Sequence, residues 1–522
     1  MLATFVDYGI SGDDGVQHRM GRRLLRWYAT LGNEPRVTED LDITKYGGLA
    51  EMVAELTVLV SPLETYASRH LANVGFAFVA FFAVLRIARR LDGSRGAFLA
   101  LLFLALTPPF YGNAFFNSKD VPFAALYALA VSGILACDSW PGTSWRRALG
   151  AGALVGLVAA VRVGGLVLFG FALALWLATL LLQGDAGKLA WPSRGDFLRL
   201  VAAWGAAVVV GWTVMVALWP WAMQDPLGNP FRAAGRFSHF WGEMLIFYDG
   251  QLLPADQVSR FYLPNWFALT LPEHYFVAAV LGLVGLGLLF RARQLGNDVR
   301  RRLVQAGWLA CIPALVVAGV VVDRMPLYDG LRHFLFLVPF LAVLAGVSVS
   351  VFLRSPAGRW GKVAGLAVLA ASCLVTLVDM VRLHPYESVY FNRLVAGGMK
   401  AGIDRYEGDY WCLSYKEGCE WLLRRFAGAR CREPIRVAGY SILHQTQHYL
   451  ELTEEGRRLF KAIQLGDGSP HFVMATTRFQ DHLRAPGKPV HTVERGGATL
   501  FTLNEVRPPD CEMPGALVAP GH

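Results

Sequence analysis

Long apolar runs separated by short polar connections fill the chain up to about residue 382. Ten of them read as crossings of a hydrocarbon core of about 30 Å, although several are short for the task. They cover 65–86, 96–112, 121–138, 147–161, 164–182, 199–219, 273–291, 303–322, 333–353 and 361–381. The stretch 147–182 is too long for one crossing, and Arg162 with the glycines beside it predicts a tight turn between two. Upstream, 16–31 has helical spacing, with Arg19, Arg22, Arg23 and Arg26 on it. Gly47-Gly48 opens a second helix to about Val60, too short to span and suited to lie in the membrane interface. After Arg382 the pattern changes to short alternating runs. A helix is expected over 414–426, strands over 435–440, 472–476, 490–494 and 499–506, and a hairpin turn at Gly496-Gly497. Residues 513–522, rich in Pro and Gly, read as a loose tail. Three parts follow: a loop with juxtamembrane helices (1–64), a transmembrane core (65–382) and a small C-terminal α/β domain (383–522).

Composition agrees with this polytopic α-helical membrane class. Apolar residues make up 54% of 522 and charged residues 17%, with a mean hydropathy of +0.38, whereas soluble domains carry about 25% charge. Disorder, a coiled coil and a simple cytosolic enzyme are excluded. The net charge of +9 does not point to nucleic acid, because the basic residues gather in short loops, as the positive-inside rule describes. No zinc-spaced Cys/His set, Walker loop or GxGxxG after a strand is present. One set of alternate loops holds Arg86, Arg89, Arg90, Arg95, Arg146, Arg147, Lys188, Arg194, Arg199, Arg291, Arg293, Arg300, Arg301, Arg302, Arg354, Arg359 and Lys362. The opposite set holds only Lys119, Arg162, Arg232, Arg236, Arg260, Arg324 and Arg332. The first set is therefore cytoplasmic, and 1–64, 220–272 and everything after 382 are expected on the outer face of a bacterial inner membrane. No signal peptide or span precedes 1–64. Met1 reads as an internal start with a first spanning helix upstream; the rival is a short tail that translocates on its own. Cys137, Cys311 and Cys373 read as free buried thiols in or beside spans, and Cys412, Cys419, Cys431 and Cys511 as disulfide partners in the outer domain, with three pairings open.

The outer loops concentrate the ionisable and aromatic residues. Asp13-Asp14 before a basic helix supports two readings, a general base beside a cationic phosphate site or an N-cap. Lys119-Asp120 enters a span ahead of Pro122; either Asp120 caps the helix and Lys119 snorkels, or Lys119 meets a phosphate. Asp323, Arg324, Tyr328, Asp329, Arg332 and His333 crowd one short loop, where ionisable groups at the membrane edge suggest function and arginine can grip a phosphate bidentately. Mutual pairing of these charges is the alternative. The aromatic clusters Trp219-Pro220-Trp221, Phe237-Ser238-His239-Phe240-Trp241 and Tyr262-Leu263-Pro264-Asn265-Trp266 fit an interfacial belt, a polyprenyl groove or a sugar platform. An outer-face reaction has no ready access to ATP or nucleotide sugars, which favours a lipid-linked donor.

Six stretches carry a family resemblance: Asp7-Tyr8-Gly9-Ile10-Ser11-Gly12-Asp13-Asp14 with Gln17, Tyr46-Gly47-Gly48, Asn117-Ser118-Lys119-Asp120-Val121-Pro122-Phe123, Leu327-Tyr328-Asp329-Gly330-Leu331-Arg332-His333-Phe334, His384-Pro385-Tyr386-Glu387-Ser388-Val389-Tyr390-Phe391-Asn392, and Asp409-Tyr410-Trp411 with Leu413-Ser414-Tyr415. In order and placement they resemble the GT-C superfamily of lipid-dependent glycosyltransferases, and within it bacterial family 39, the protein mannosyltransferase and aminoarabinose transferase group. The resemblance implies an inverting transfer from a polyprenyl-phosphate sugar to a lipid, glycan or protein acceptor. Asp13 would be the base and Asp14 its neighbour, although Asp stands at position 14 where the family usually has Glu. Lys119, Arg324, Arg332 and Arg19 would bind the donor phosphate, and Asp120, Tyr328, Asp329 and His333 the substrate. No metal or other cofactor is expected, and membrane lipids but no nucleic acid are the expected partners. The family's first spanning helix has no counterpart in this sequence. A transporter or flippase for a lipid-linked saccharide, and an inactive scaffold, are the alternatives.

Overall fold

The computed structural model describes residues 1–39, 41–137, 142–181, 192–237, 244–293, 297–440 and 443–513. The expected aromatic positions 238–241, Lys188 and tail residues 514–522 lie outside these, as do the side chains of Phe237, Arg300, Arg301 and Arg302. The order of the helices up to the C-terminal domain is α1 (Asp14–Ala29), α2 (Leu49–Val60), α3 (Thr65–Ala105), α4 (Pro108–Phe116), α5 (Asp120–Leu135), α6 (Trp145–Ala159), α7 (Val167–Leu181), α8 (Arg194–Ala217), α9 (Pro220–Gln224), α10 (Gly228–Phe237), α11 (Tyr262–Thr270), α12 (Glu273–Arg291), α13 (Asn297–Asp323), α14 (Val338–Arg354) and α15 (Arg359–Leu383). A short hairpin, Leu245–Tyr248 with Gln251–Pro254, stands between α10 and α11.

Among the described residues seven helical stretches are long and apolar enough to cross a membrane, or eight if α4 and α5, bent by 113°, form one broken crossing. The expected ten are not reached. The runs 65–86 and 96–112 are two helical segments on either side of a break at Gly93 (φ 76°, ψ −161°), taken together as α3, with the end of the second run passing into α4. The chain then turns back: Asn73 donates to the Phe115 carbonyl at 3.1 Å, and the Phe81 and Phe110 rings lie 6.4 Å apart. The runs 121–138 and 147–161 become helices of 16 and 15 residues, shorter than the usual crossing.

α14 is the enclosed centre, with 78% of its apolar window buried, against 17% for α15, whose apolar side chains face outward. Helices α6 and α8 approach closely through small residues: a Cβ on Gly152 or Gly156 would meet the Ala207 or Gly211 carbonyl at 2.2 or 2.3 Å. Cys311, expected buried, is exposed on α13, because that helix presents much of its apolar surface outward; Cys373 is half-buried and Cys137 buried.

The C-terminal domain is a five-stranded mixed sheet in the order Phe460–Gln464, Ile435–Gly439, Phe472–Thr476, Ala498–Glu505, Lys488–Arg495, with the first three strands parallel and the last two antiparallel to their neighbours. The helix Tyr415–Arg425 covers it, and Tyr415 donates to the Met474 carbonyl at 2.9 Å. Gly496-Gly497 turns the last two strands, as expected. Cys431 and Cys511 form a disulfide, while Cys412 and Cys419 remain free and buried.

Candidate functional site

The N-terminal loop is held from several sides before it reaches the site. The Tyr8 ring stacks on Phe115 at 3.9 Å, and its hydroxyl donates to Glu387 Oε2 at 2.7 Å. His384 lies 3.0 Å from Asp7 and 2.9 Å from Glu387 through its two ring nitrogens. Lys416 donates to the Val6 and Asp7 carbonyls at 2.7 and 3.0 Å, and the Ile10 amide donates to the Tyr449 hydroxyl at 2.7 Å. The motif residues Asp7, Tyr8, His384 and Glu387 thus form a clamp rather than a cavity wall.

The clamp delivers Asp13 and Asp14 into different surroundings. Asp14 is 2% exposed; it accepts from the Ser11 amide at 2.6 Å and stands 4.0 Å from Arg69. Burial pushes its carboxyl up to about 6. Arg69 also pairs with Glu51 at 2.5 Å and with Glu55. Asp13 occupies the N-cap position of α1 but makes no side-chain cap bond, so its carboxylate is available to the cavity. It accepts from Lys119 Nζ at 3.1 Å, and the Lys119 charge above all holds it down to about 2. Gln17, with its amide turned to suit its neighbours, accepts from Lys119 at 2.7 Å and donates to Glu51 at 2.9 Å, joining the two clusters.

A cavity of about 610 Å³ opens beside Asp13. Its cations are Lys119, Arg162, Arg332 and Arg478; its carboxylates are Asp13, Asp42, Asp329 and Asp481. Lys119 and Arg162 approach the Tyr46 ring at 5.0 and 5.7 Å. Arg162 pairs with Asp120. Arg332 bonds Asp329 at 2.7 Å and lies 4.6 Å over the Trp411 ring. Arg478 comes from the C-terminal domain, with Nη2 3.8 Å from Asp329 and Nη1 donating to the Tyr410 carbonyl at 2.5 Å. The loops that carry these arginines contain non-glycine residues in the left-handed region: Asp329 (φ 55°), and Phe479 and Gln480 (φ 52° and 59°). Such conformations persist only where packing enforces them. Nearby Glu407 is fully enclosed, and burial raises its carboxyl above the ordinary range. Gly47 holds the Tyr46 segment against the α6–α7 turn, since a Cβ there would lie 1.9 Å from the Ala160 carbonyl.

A second cavity of about 380 Å³ continues from the first. Tyr46, Arg162, Tyr328 and His333 line both; Phe123, Tyr127, Val167, Val316, Phe334 and Phe336 supply apolar walls to the second.

The structure therefore brings Asp13, Lys119, Tyr328, Asp329, Arg332 and His333 together on one cavity. Asp14 stands behind it in the Arg69 cluster, and Asp120 acts on it through Arg162. Arg19 and Arg324 are exposed and do not line it. Sequence reasoning assigned no role here to Arg162, Arg478, Tyr46, Gln17 or Asp42. An arginine inside an apolar stretch is itself a signal, although the sequence pattern gives Arg162 only a turn on the outer face and no ligand. Nothing around Thr477-Arg478-Phe479 marks Arg478 in the sequence.

No protein-family model matches the chain, and no curated protein does. Among solved structures, the chain is similar to ArnT from Cupriavidus metallidurans bound to undecaprenyl phosphate, with 16% identity, a TM-score of 0.49 and coverage of 97% of this chain and 96% of that one. It is also similar to the oligosaccharyltransferase AglB from Archaeoglobus fulgidus in complex with an inhibitory peptide and a dolichol-phosphate, with 11% identity, a TM-score of 0.39 and coverage of 83% and 61%.

Proposed function

We propose that this multi-pass membrane protein is a GT-C-type glycosyltransferase that moves a sugar from a polyprenyl-phosphate donor to an acceptor at the outer face of a bacterial inner membrane. The observation that carries the reading is the junction of the two cavities: a polar chamber with four cations opens into an apolar groove through shared walls. That is the shape of a phosphate joined to a hydrocarbon chain. The isoprenoid lies along Phe123, Tyr127 and Phe336, and the phosphate meets Lys119, Arg162 and Arg332.

The chemistry follows from the placement of charge. The acceptor oxygen or nitrogen attacks C1 of the sugar, and the bond from C1 to the phosphate oxygen breaks with inversion. The electron pair leaves with polyprenyl phosphate, and the acceptor proton passes to Asp13. Cations fixed on the leaving oxygen stabilise charge as it develops, and a positioned base contributes about 10²–10⁴-fold. In the unliganded site Lys119 holds Asp13 at about 2, too acidic for an effective base. A donor phosphate that shares the Lys119 ammonium releases this restraint, so base strength appears when donor is bound. Tyr328 and His333 contact the donor where phosphate and chain meet, and Asp329 orients Arg332 and Arg478.

The test supplies the full chain, in detergent, with a panel of polyprenyl-phosphate sugars in long and one-unit isoprenoid forms, together with membrane-extract acceptors. Released polyprenyl phosphate is measured. Release from one long-chain donor is expected, with the short form weaker by on the order of tenfold or more, since each buried methylene contributes about 0.8 kcal/mol. Equal turnover of both forms removes the groove from donor binding; release from none contradicts the reading.

A further inference from the structure

A third cavity, of about 360 Å³, lies away from this site, where the last turn of α15 meets the C-terminal domain. Asp379, Arg382, Tyr390, Arg393, Lys400 and Gly496 are among its walls. Asp379 is its one carboxylate, and Arg393 consumes it with bonds of 3.2 and 2.5 Å. Among the described residues, Arg382 and Lys400 form no ion pair. Two cations therefore face the cavity with no protein charge against them.

The depth and surroundings of this cavity bear on its occupant. It sits at the end of a membrane-length helix whose window is only 17% buried. On α15, Leu374 (60% exposed), Val378 and Val381 (72%) form one outward stripe that ends beside Arg382. The loop after Arg393 also exposes Leu394 and Val395. Consecutive left-handed glycines, Gly397 (φ 76°) and Gly398 (φ 89°), then carry the chain back to Lys400. Apolar surface thus borders a cationic pocket at the end of a membrane-length helix. Lysine and arginine at helix ends snorkel as a rule, but snorkelling alone does not bring cations from a helix end and from a separate loop to one cavity.

We propose that this cavity binds the phosphate headgroup of an anionic phospholipid, with Arg382 and Lys400 on the phosphate and the acyl chains along Leu374, Val378 and Val381. Basic pockets beside spanning helices take such headgroups. The lipid ties the α15 end to the C-terminal domain, whose Gly496 turn forms one wall. It is a structural ligand, separate from the donor at the Asp13 cavity.

Native mass spectrometry of the detergent-purified full chain tests this, titrated with phosphatidylglycerol, with phosphatidylcholine, and with inorganic phosphate alone. Wild type is expected to prefer phosphatidylglycerol by on the order of tenfold or more, given the gain per basic residue near an anionic lipid. The double variant Arg382→Gln with Lys400→Gln should lose that preference, and the charge-retaining pair Arg382→Lys with Lys400→Arg should keep it. Undecaprenyl phosphate binding, measured in the same way, should be unchanged in both, which separates this site from the donor site. A preference that survives in the glutamine variant overturns the proposal. So does binding of inorganic phosphate as tight as that of the lipid, which would make this a free-anion pocket. A glutamine variant that does not fold leaves the comparison to wild type and the charge-retaining pair, where absence of any lipid preference overturns it equally.

Discussion

Asp13 and Asp14 are neighbours in the chain and opposites in the fold. Around Asp14, Arg69 is 1% exposed and shared among three carboxylates, with Ser118 and His18 completing the bonds to Glu51 and Glu55 at 2.8 Å each. That cluster is buried: Asp14, Glu51, Glu55 and Arg69 line none of the cavities described above, and their charges serve the joint between α1, α2 and α3. Around Asp13, four cations line a chamber large enough for a sugar phosphate. The same residue types build a buried brace in one place and the walls of an open cavity in the other. Access and the ratio of cations to carboxylates make the difference. Gln17 spans the two, so the brace also positions Lys119.

The comparison breaks most sharply at Arg69. Arg69→Met would leave Glu51, Glu55 and Asp14 buried without their cation, and losing one partner of such a set costs about 3–5 kcal/mol. Thermal unfolding in detergent should show a large drop or no folded protein; an unchanged melting temperature would mean the cluster is not a brace. At the open cluster, Lys119→Ala should act on function instead. Donor binding should weaken by about 10–100-fold, as expected for one hydrogen bond to a charged group, with little change in melting temperature. A large loss of stability without loss of affinity would reverse the roles of the two clusters.

The clamp gives the smallest effect, through pH. The bond to Glu387 above all raises His384 above its ordinary value of 6.5. A base raised on folding stabilises fully below its unfolded value, and that stabilisation is lost as pH climbs through the raised value. Hydrogen exchange in residues 1–12 should therefore quicken modestly on the alkaline side of neutrality, and His384→Gln should flatten the dependence. Quickening on the acid side instead would contradict the clamp.

Much of this arrangement was legible in the sequence. The Lys/Arg tally grouped the loops holding Lys119, Arg162 and Arg332 on one side, and the structure brings those residues to one cavity. Charge in short loops is a local signal, which a single sequence carries in full. Helices α1 and α2 were legible from periodicity to within about two residues of their ends. The strand Phe460–Gln464 was not: its two buried side chains, Phe460 and Ile463, are three apart and break the alternation that marks a half-buried strand. The motif residues could not be sorted into clamp and cavity, because that division depends on contacts such as Tyr8 with Glu387, more than 370 positions apart. Arg478 lay beyond reach for the same reason: its place follows from how the C-terminal domain docks.

In the proposed mechanism Asp13 is the reacting carboxylate and Asp14 a buried support. The direct measurement is sugar transfer and melting temperature, side by side, for Asp13→Asn and Asp14→Asn in the full chain. The account predicts that Asp13→Asn loses about 10²–10⁴-fold in transfer with its melting temperature kept, and that Asp14→Asn melts lower but transfers within tenfold of wild type. Full transfer by Asp13→Asn, or loss of transfer in a normally stable Asp14→Asn, would contradict it.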